Sequence, residues 1–184
     1  QVKIRVADAS DGVALDDSNN NFKIISDFTL LAPNTTVTYQ VDDTIAITWS
    51  NLGTVNNVEL AYSTASTDFT TPAIIAATTP NDGNYIWPFP NNISSTVRVR
   101  VRSLTDDGND ISNADFRIRG KLNITAPVLS AAVEIGKPYL IQWDSTGTIP
   151  NVNLVYDTND GTGGYPYTIV TNLANCTPVN PATT

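Results

Sequence analysis

Two stretches of this chain repeat each other, and that repeat limits the fold more than any other feature. FTLLAPNTTVTYQVDDTIAITWSNLGTVNNVELAYST, from Phe28, aligns on LNITAPVLSAAVEIGKPYLIQWDSTGTIPNVNLVYDT, from Leu122, without a gap at an offset of 94 residues. Ala32-Pro33 falls on Ala126-Pro127, Ile47 and Trp49 on Ile141 and Trp143, and Leu60 and Tyr62 on Leu154 and Tyr156. A second match joins the start of the chain to its middle. Val2, Ile4 and Val6 align with Val97, Val99 and Val101, and Phe22 and Ile24 with Phe116 and Ile118. Self-similarity at a fixed period means that one structural unit is used more than once.

The repeat divides the chain unevenly. Residues 25–118 read as a complete unit, 1–24 as the last two strands of one, and 119–184 as the first two-thirds of another. The fragments are complementary: CTPVNPATT followed by QV fits under WPFPNNISSTV, residues 87–97, with Cys176 under Trp87 and Val2 under Val97. The chain therefore reads as one period of a two-unit cycle. It is either a window on a longer tandem array or a subunit whose first strands complete the open unit of a neighbour.

Within 25–118 the pattern predicts about seven strands, near 28–32, 37–41, 44–49, 57–63, 72–77, 84–89 and 96–103, with a last one at 113–118. Ile45, Ile47 and Trp49 alternate onto one face, as do Val58, Leu60 and Tyr62, and Val97, Val99 and Val101 oppose Arg98, Arg100 and Arg102. Asn81-Asp82-Gly83, Asp106-Asp107-Gly108 and Asp11-Gly12 are turn signals. Helix formers are sparse, while Thr, Val, Ile, Asn, Gly and Pro are abundant. The expected fold is all-β: tandem Ig-like or fibronectin-III-like β-sandwiches. Trp49 and Trp143 are expected in the cores. Stripping Val2, Ile4, Val6, Phe22 and Ile24 from such a core costs roughly 8–15 kcal/mol at ~1.5–3 kcal/mol per buried side chain. That rivals the ~5–15 kcal/mol of a whole domain, so 119–184 is expected to need those strands from elsewhere.

The order of motifs resembles a known repeat. An Ala-Pro start, I-x-W, N-V-x-L-x-Y, P-N-D-G-N-Y-x-W, V-R-V-R-V and a closing N-A-D-F-R-I are similar to the Ig-like repeat of Kre9/Knh1-type cell-wall proteins of yeast and of tandem arrays in large bacterial and archaeal surface proteins. The resemblance implies export, a cell-surface or cell-wall location, and structural or adhesive use. It carries over no catalytic residue. The second unit departs from the pattern, with Cys176 in place of the aromatic and no P-N-D-G turn.

Composition excludes several function classes. Net charge is -8, from 18 Asp and Glu against 10 Lys and Arg, so a poly-anionic nucleic acid is not an expected partner. No apolar run is long enough to span a membrane, and no segment reads as a signal peptide. Histidine is absent, which removes Ser-His-Asp and Cys-His catalysis and His-ligated metals. The single cysteine, Cys176, reads as a core thiol. Gly161, Gly163 and Gly164 lie in DGTGG with no P-loop lysine, and read as a hairpin tip.

Asp106, Asp107, Asn109 and Asp110 form the sharpest candidate metal site, an oxygen-rich loop suited to calcium; Asp157, Asn159 and Asp160 form a weaker one. The competing reading of both is turn chemistry. Asn34, Asn92, Asn123 and Asn175 stand in N-x-S/T sequons and are glycosylation candidates. Tyr165, Tyr167 and Phe69 are candidate exposed aromatics for a glycan. The leading expectation is a non-enzymatic structural unit of an extracellular filament, sheath or surface layer that self-assembles with identical units. The alternatives are an adhesin stalk or carbohydrate-binding module with a cell-wall glycan as partner, and an accessory domain of a secreted enzyme.

Overall fold

The computed structural model describes residues 1–128, 131–175 and the backbone of 182–183. Among them every regular element is a strand. In chain order these are β1 (Arg5–Ala7), β2 (Leu15–Asp17), β3 (Asp27–Ala32), β4 (Thr38–Gln40), β5 (Thr44–Leu52), β6 (Asn57–Ser63), β7 (Ala73–Pro80) and β8 (Asn84–Pro88). There follow β9 (Ser94–Ser103), β10 (Asn109–Ile111), β11 (Phe116–Arg119), β12 (Lys121–Ala126), β13 (Leu140–Thr146), β14 (Asn151–Tyr156), β15 (Tyr167–Ala174) and β16 (Ala182–Thr183).

Residues 27–119 build two sheets. One is ordered β3-β5-β8; the other is β4-β11-β9-β6-β7, with β10 added to β9. All pairings in them are antiparallel except β4 with β11. The alternation seen in the sequence is what lets both sheets turn an apolar face inward. Leu30, Ile47, Trp49 and Trp87 from the first sheet join Val58, Leu60, Val97, Val99, Val101, Phe116 and Ile118 from the second in one buried cluster. Trp87 and Phe89 meet edge-on with centroids 4.7 Å apart, and Tyr39 lies 4.9 Å from Phe89. The opposite face of β9 carries its arginines. Arg102 and Arg100 reach Glu59, on the adjacent β6, at 2.7 and 3.1 Å, and Arg98 pairs with Asp115. Two strands were not expected: β10 occupies part of the DDGND stretch read as a loop, and its counterpart β2 lies between the two strands expected in residues 1–24.

The strand pairings of 121–174 match those of 27–80 position for position. Leu30 faces Trp49 and Ile124 faces Trp143; Ala32 faces Thr48 and Ala126 faces Gln142, after the same register shift. Val58 faces Thr79 and Val152 faces Leu173; Tyr62 faces Ala73 and Tyr156 faces Tyr167. Side-chain anchoring recurs as well. Trp49 Nε1 donates to Asn81 Oδ1 at 2.7 Å, and Trp143 Nε1 to Asn175 Oδ1 at 2.8 Å. Each asparagine donates its Nδ2 to a loop carbonyl, Val55 at 2.9 Å and Ile149 at 2.8 Å. The N-terminal strands match β9–β11 in turn. Val6 pairs with Asp16 as Val101 pairs with Asp110, and the Val2–Phe22 bridge corresponds to the Val97–Phe116 pair. Phe22 and Ile24, expected in a second full strand, form only that isolated bridge. A ladder of the β11 kind needs a flank such as β4, and residues 22–24 have none here.

Candidate functional site

Equivalent residues have opposite fates in the two halves. Val99, Val101, Phe116 and Ile118 are sealed in the core, whereas Ile4 and Val6 are 62% and 68% exposed and Ile24 is 75% exposed. Leu30 is buried, while its counterpart Ile124 is 66% exposed. The cost of leaving such side chains in water is about 1.5–3 kcal/mol each.

The second half also carries an opening where the first half has its core. An apolar cleft of about 370 Å³ is lined by Ile124, Val133, Ile141, Leu154, Tyr156 and Ile169, among others. At the matched positions of the first half, Leu30, Ile47, Leu60 and Tyr62 belong to the closed core. There they pack in one cluster with Val97, Val99, Val101, Phe116 and Ile118. Residues 1–24 supply a matching series of apolar side chains, with Ile4 in the place of Val99, and the pairs that form, Arg5–Ala7 with Leu15–Asp17 and Val2 with Phe22, keep the register of β9 with β10 and β11. Cleft and strands are thus complementary in chemistry and in backbone pattern. Cys176 and the seam residues 176–181 lie outside the described residues.

The acidic loop is a clasp. Asp106 accepts the Gly108 amide at 2.7 Å, the Ser26 hydroxyl at 2.8 Å and the Ser26 amide at 3.2 Å. Asp110 accepts the amide of Leu30 on β3 at 2.7 Å, Lys23 reaches Asp107 at 2.6 Å, and Asn109 donates to the Asp107 carbonyl at 3.0 Å. Asp106, Asp107 and Asp110 hold the chain entering β3, and their carboxylates face different protein donors, while Asn109 bonds within the loop. Among the described residues, no three acidic, histidine or cysteine side chains converge to hold a metal ion. In the second loop, Asp157 accepts the amides of Asn159 at 2.9 Å and Gly161 at 2.7 Å, a turn arrangement.

The Gly108 amide, with the Ser26 donors, holds the Asp106 carboxyl below the ordinary range against the opposing effect of burial. Arg98, with the Ser66 hydroxyl, does the same for Asp115. A carboxyl depressed in the fold stabilises it above its unfolded value, near 3.9, and loses that contribution as pH falls through the folded value. The melting temperature is therefore expected to be level above about pH 5 and to fall progressively below about pH 4. Calorimetry across that window checks this. Asp106→Asn should flatten the acid limb, and an unchanged limb would remove Asp106 from the account.

The other candidates are dispersed. Asn34 donates to the Leu30 carbonyl at 3.1 Å and accepts the Asn113 amide, and Asn92 donates to the Tyr62 hydroxyl at 3.2 Å. Asn123 is exposed on β12. Asn175 is the anchor of Trp143, so a glycan on its Nδ2 would break the bond to Ile149. Phe69 lies 4.9 Å beneath the Arg100 guanidinium, Tyr167 stacks on Tyr156 at 5.0 Å, and Tyr165 lines the cleft. Sequence reasoning missed Asn81 as the partner of Trp49; a Trp followed 32 residues later by an Asn in both copies was the available signal.

Among the described residues no helix is long and apolar enough to cross a membrane. No family model matches the chain, and no curated protein matches it either.

Proposed function

We propose that this chain is a structural repeat unit of an extracellular filament, sheath or surface layer, built of Ig-like β-sandwiches joined by strand complementation. Residues 1–24 of one unit fill the cleft of residues 119–184 in the preceding one. The preceding unit is either a neighbouring copy or an earlier stretch of the same long polypeptide. The observation that carries this reading is the match between the open apolar cleft and the exposed strand residues that would fill it. Head-to-tail pairing of this kind propagates into a fibre when successive rotations do not close a ring. The function is mechanical and involves no turnover. The net charge of -8 keeps the remaining surface soluble while the apolar faces pair.

The test is to follow the chain by light scattering and electron microscopy as its concentration rises. Open-ended strings of beads are expected, and excess peptide spanning residues 1–24 should shorten them by occupying the clefts. A chain that stays monomeric at all concentrations would defeat the proposal. The denatured, reduced mass of the native material then separates neighbouring copies, near the 19.8 kDa of this chain, from a tandem array many times larger.

A second reading has its own observation. Tyr156 and Tyr167 stack while both stay about half exposed, and Tyr165 stands beside them, an apolar shelf on which a sugar ring could lie. Retention on cell-wall polysaccharide, lost on Tyr167→Ala, would favour that carbohydrate-binding role.

A further inference from the structure

The chain contains one junction between successive units, and its geometry specifies a second. In the observed junction Lys121 Nζ lies 3.0 Å from Asp43 Oδ1. Asn91 holds Thr148 at both ends: its Nδ2 donates to the Thr148 hydroxyl at 2.9 Å, and its Oδ1 accepts the Thr148 amide at 2.8 Å. Between these contacts Val41 and Gly147 touch. A Cβ on Gly147 would stand 3.1 Å from Val41 Cγ2 and 3.3 Å from Asn91 Oδ1, and its φ of +92° also favours glycine.

The repeat offset of 94 moves five of these six residues to counterparts; that of Asn91 lies outside the described residues. Lys121, Gly147 and Thr148 become Asp27, Gly53 and Thr54; Val41 and Asp43 become Ile135 and Lys137. Gly53 keeps the left-handed backbone, with φ of +98°. The aliphatic side chain and the threonine are retained, and both members of the ion pair are inverted. Burial shows which rims are covered. Lys121 and Gly147 are partly buried, whereas Asp27 and Gly53 are exposed; Val41 is buried, whereas Ile135 is fully exposed.

We propose that Ile135 and Lys137 of one copy dock on Asp27, Gly53 and Thr54 of the next, remaking the internal junction with its ion pair reversed. The inference rests on the end-to-end reading above and adds which surfaces meet. The reversal sets the order of units. A 25–118 unit seated on another 25–118 unit would put Asp43 against Asp27. Two units of the other kind would put Lys137 against Lys121. Only strict alternation brings opposite charges together at every junction, which discriminates by repulsion as well as by attraction.

Charge reversal in the full chain tests this by sedimentation velocity at low salt, where exposed charges are least screened. Lys137→Asp and Asp27→Lys should each weaken association about three- to tenfold, and the double variant should recover most of that loss. Both side chains are exposed, so melting of the dissociated chain should not move, and circular dichroism checks this. Wild-type association with single variants that have no effect, or a double variant no better than the singles, overturns the reversed junction and leaves strand complementation standing. Absence of association in the wild-type chain overturns both.

Discussion

Replacing Ile4 and Val6 together with aspartate is expected to abolish end-to-end association. The matched residues Val99 and Val101 have no exposed surface and lie at the centre of the closed core. Two lost aliphatic side chains forfeit about 3–6 kcal/mol of burial. The two carboxylates would then be carried into an apolar cleft without partners, at a cost of several kcal/mol more. The sum corresponds to a loss of association of at least about a thousandfold, at 1.4 kcal/mol per factor of ten. The same substitutions should leave the melting of residues 25–118 unchanged, because Ile4 and Val6 are exposed in the separate chain. Sedimentation velocity reads the first effect and calorimetry the second. Association that survives both aspartates would mean that these strands do not fill the cleft.

Asn81→Leu is expected to destabilise the 25–118 unit by about 2–4 kcal/mol, chiefly through polar groups left without partners. Asn81 accepts from Trp49 Nε1 at 2.7 Å and donates to the Val55 carbonyl at 2.9 Å and to Asn51 Oδ1 at 3.0 Å, while its own amide bonds the Asn56 carbonyl at 2.9 Å. Leucine keeps only the backbone bond. Trp49 is 3% exposed, so water has little access to its orphaned N–H. In a domain of this size such a loss should lower the melting temperature by roughly 10–25 °C. Asn175→Leu breaks the matching bonds to Trp143 and Ile149. Its effect should show in the assembled state, where the second unit is closed. Equal melting of wild type and Asn81→Leu would show that the tryptophan is held by packing alone.

Much of the 25–118 unit was readable from residue order, because strand alternation is a local, period-two signal. The VRVRV run of β9 puts its valines inside and its arginines outside whatever the neighbouring strands are. The internal repeat likewise needed no coordinates, and it aligned residues 1–24 with 97–118. The acidic loop was different. Four oxygen-bearing residues within five positions fit turn chemistry and also admit a cation loop, and nothing nearby in sequence separates the two. Their partners Ser26 and Leu30 lie about 80 residues away along the chain. Asn175 shows the same limit. Its sequon is a local pattern, but its side chain is occupied by Trp143, 32 residues earlier, in a bond that exists only once β13 and β15 are in place.

The sequence by itself determined that the chain is a β-protein with an internal sequence repeat, which residues of 25–118 face inward, and that residues 1–24 align with 97–118. Those properties follow from side-chain spacing, which the backbone converts directly into faces. Tertiary structure alone decided that the second unit is left with an open apolar cleft, that the aspartates of 106–110 clasp β3, and that Lys121 meets Asp43 at the junction. Each depends on which groups packing brings within about 3 Å of one another, a distance at which a hydrogen bond or ion pair forms and beyond which sequence spacing has no say.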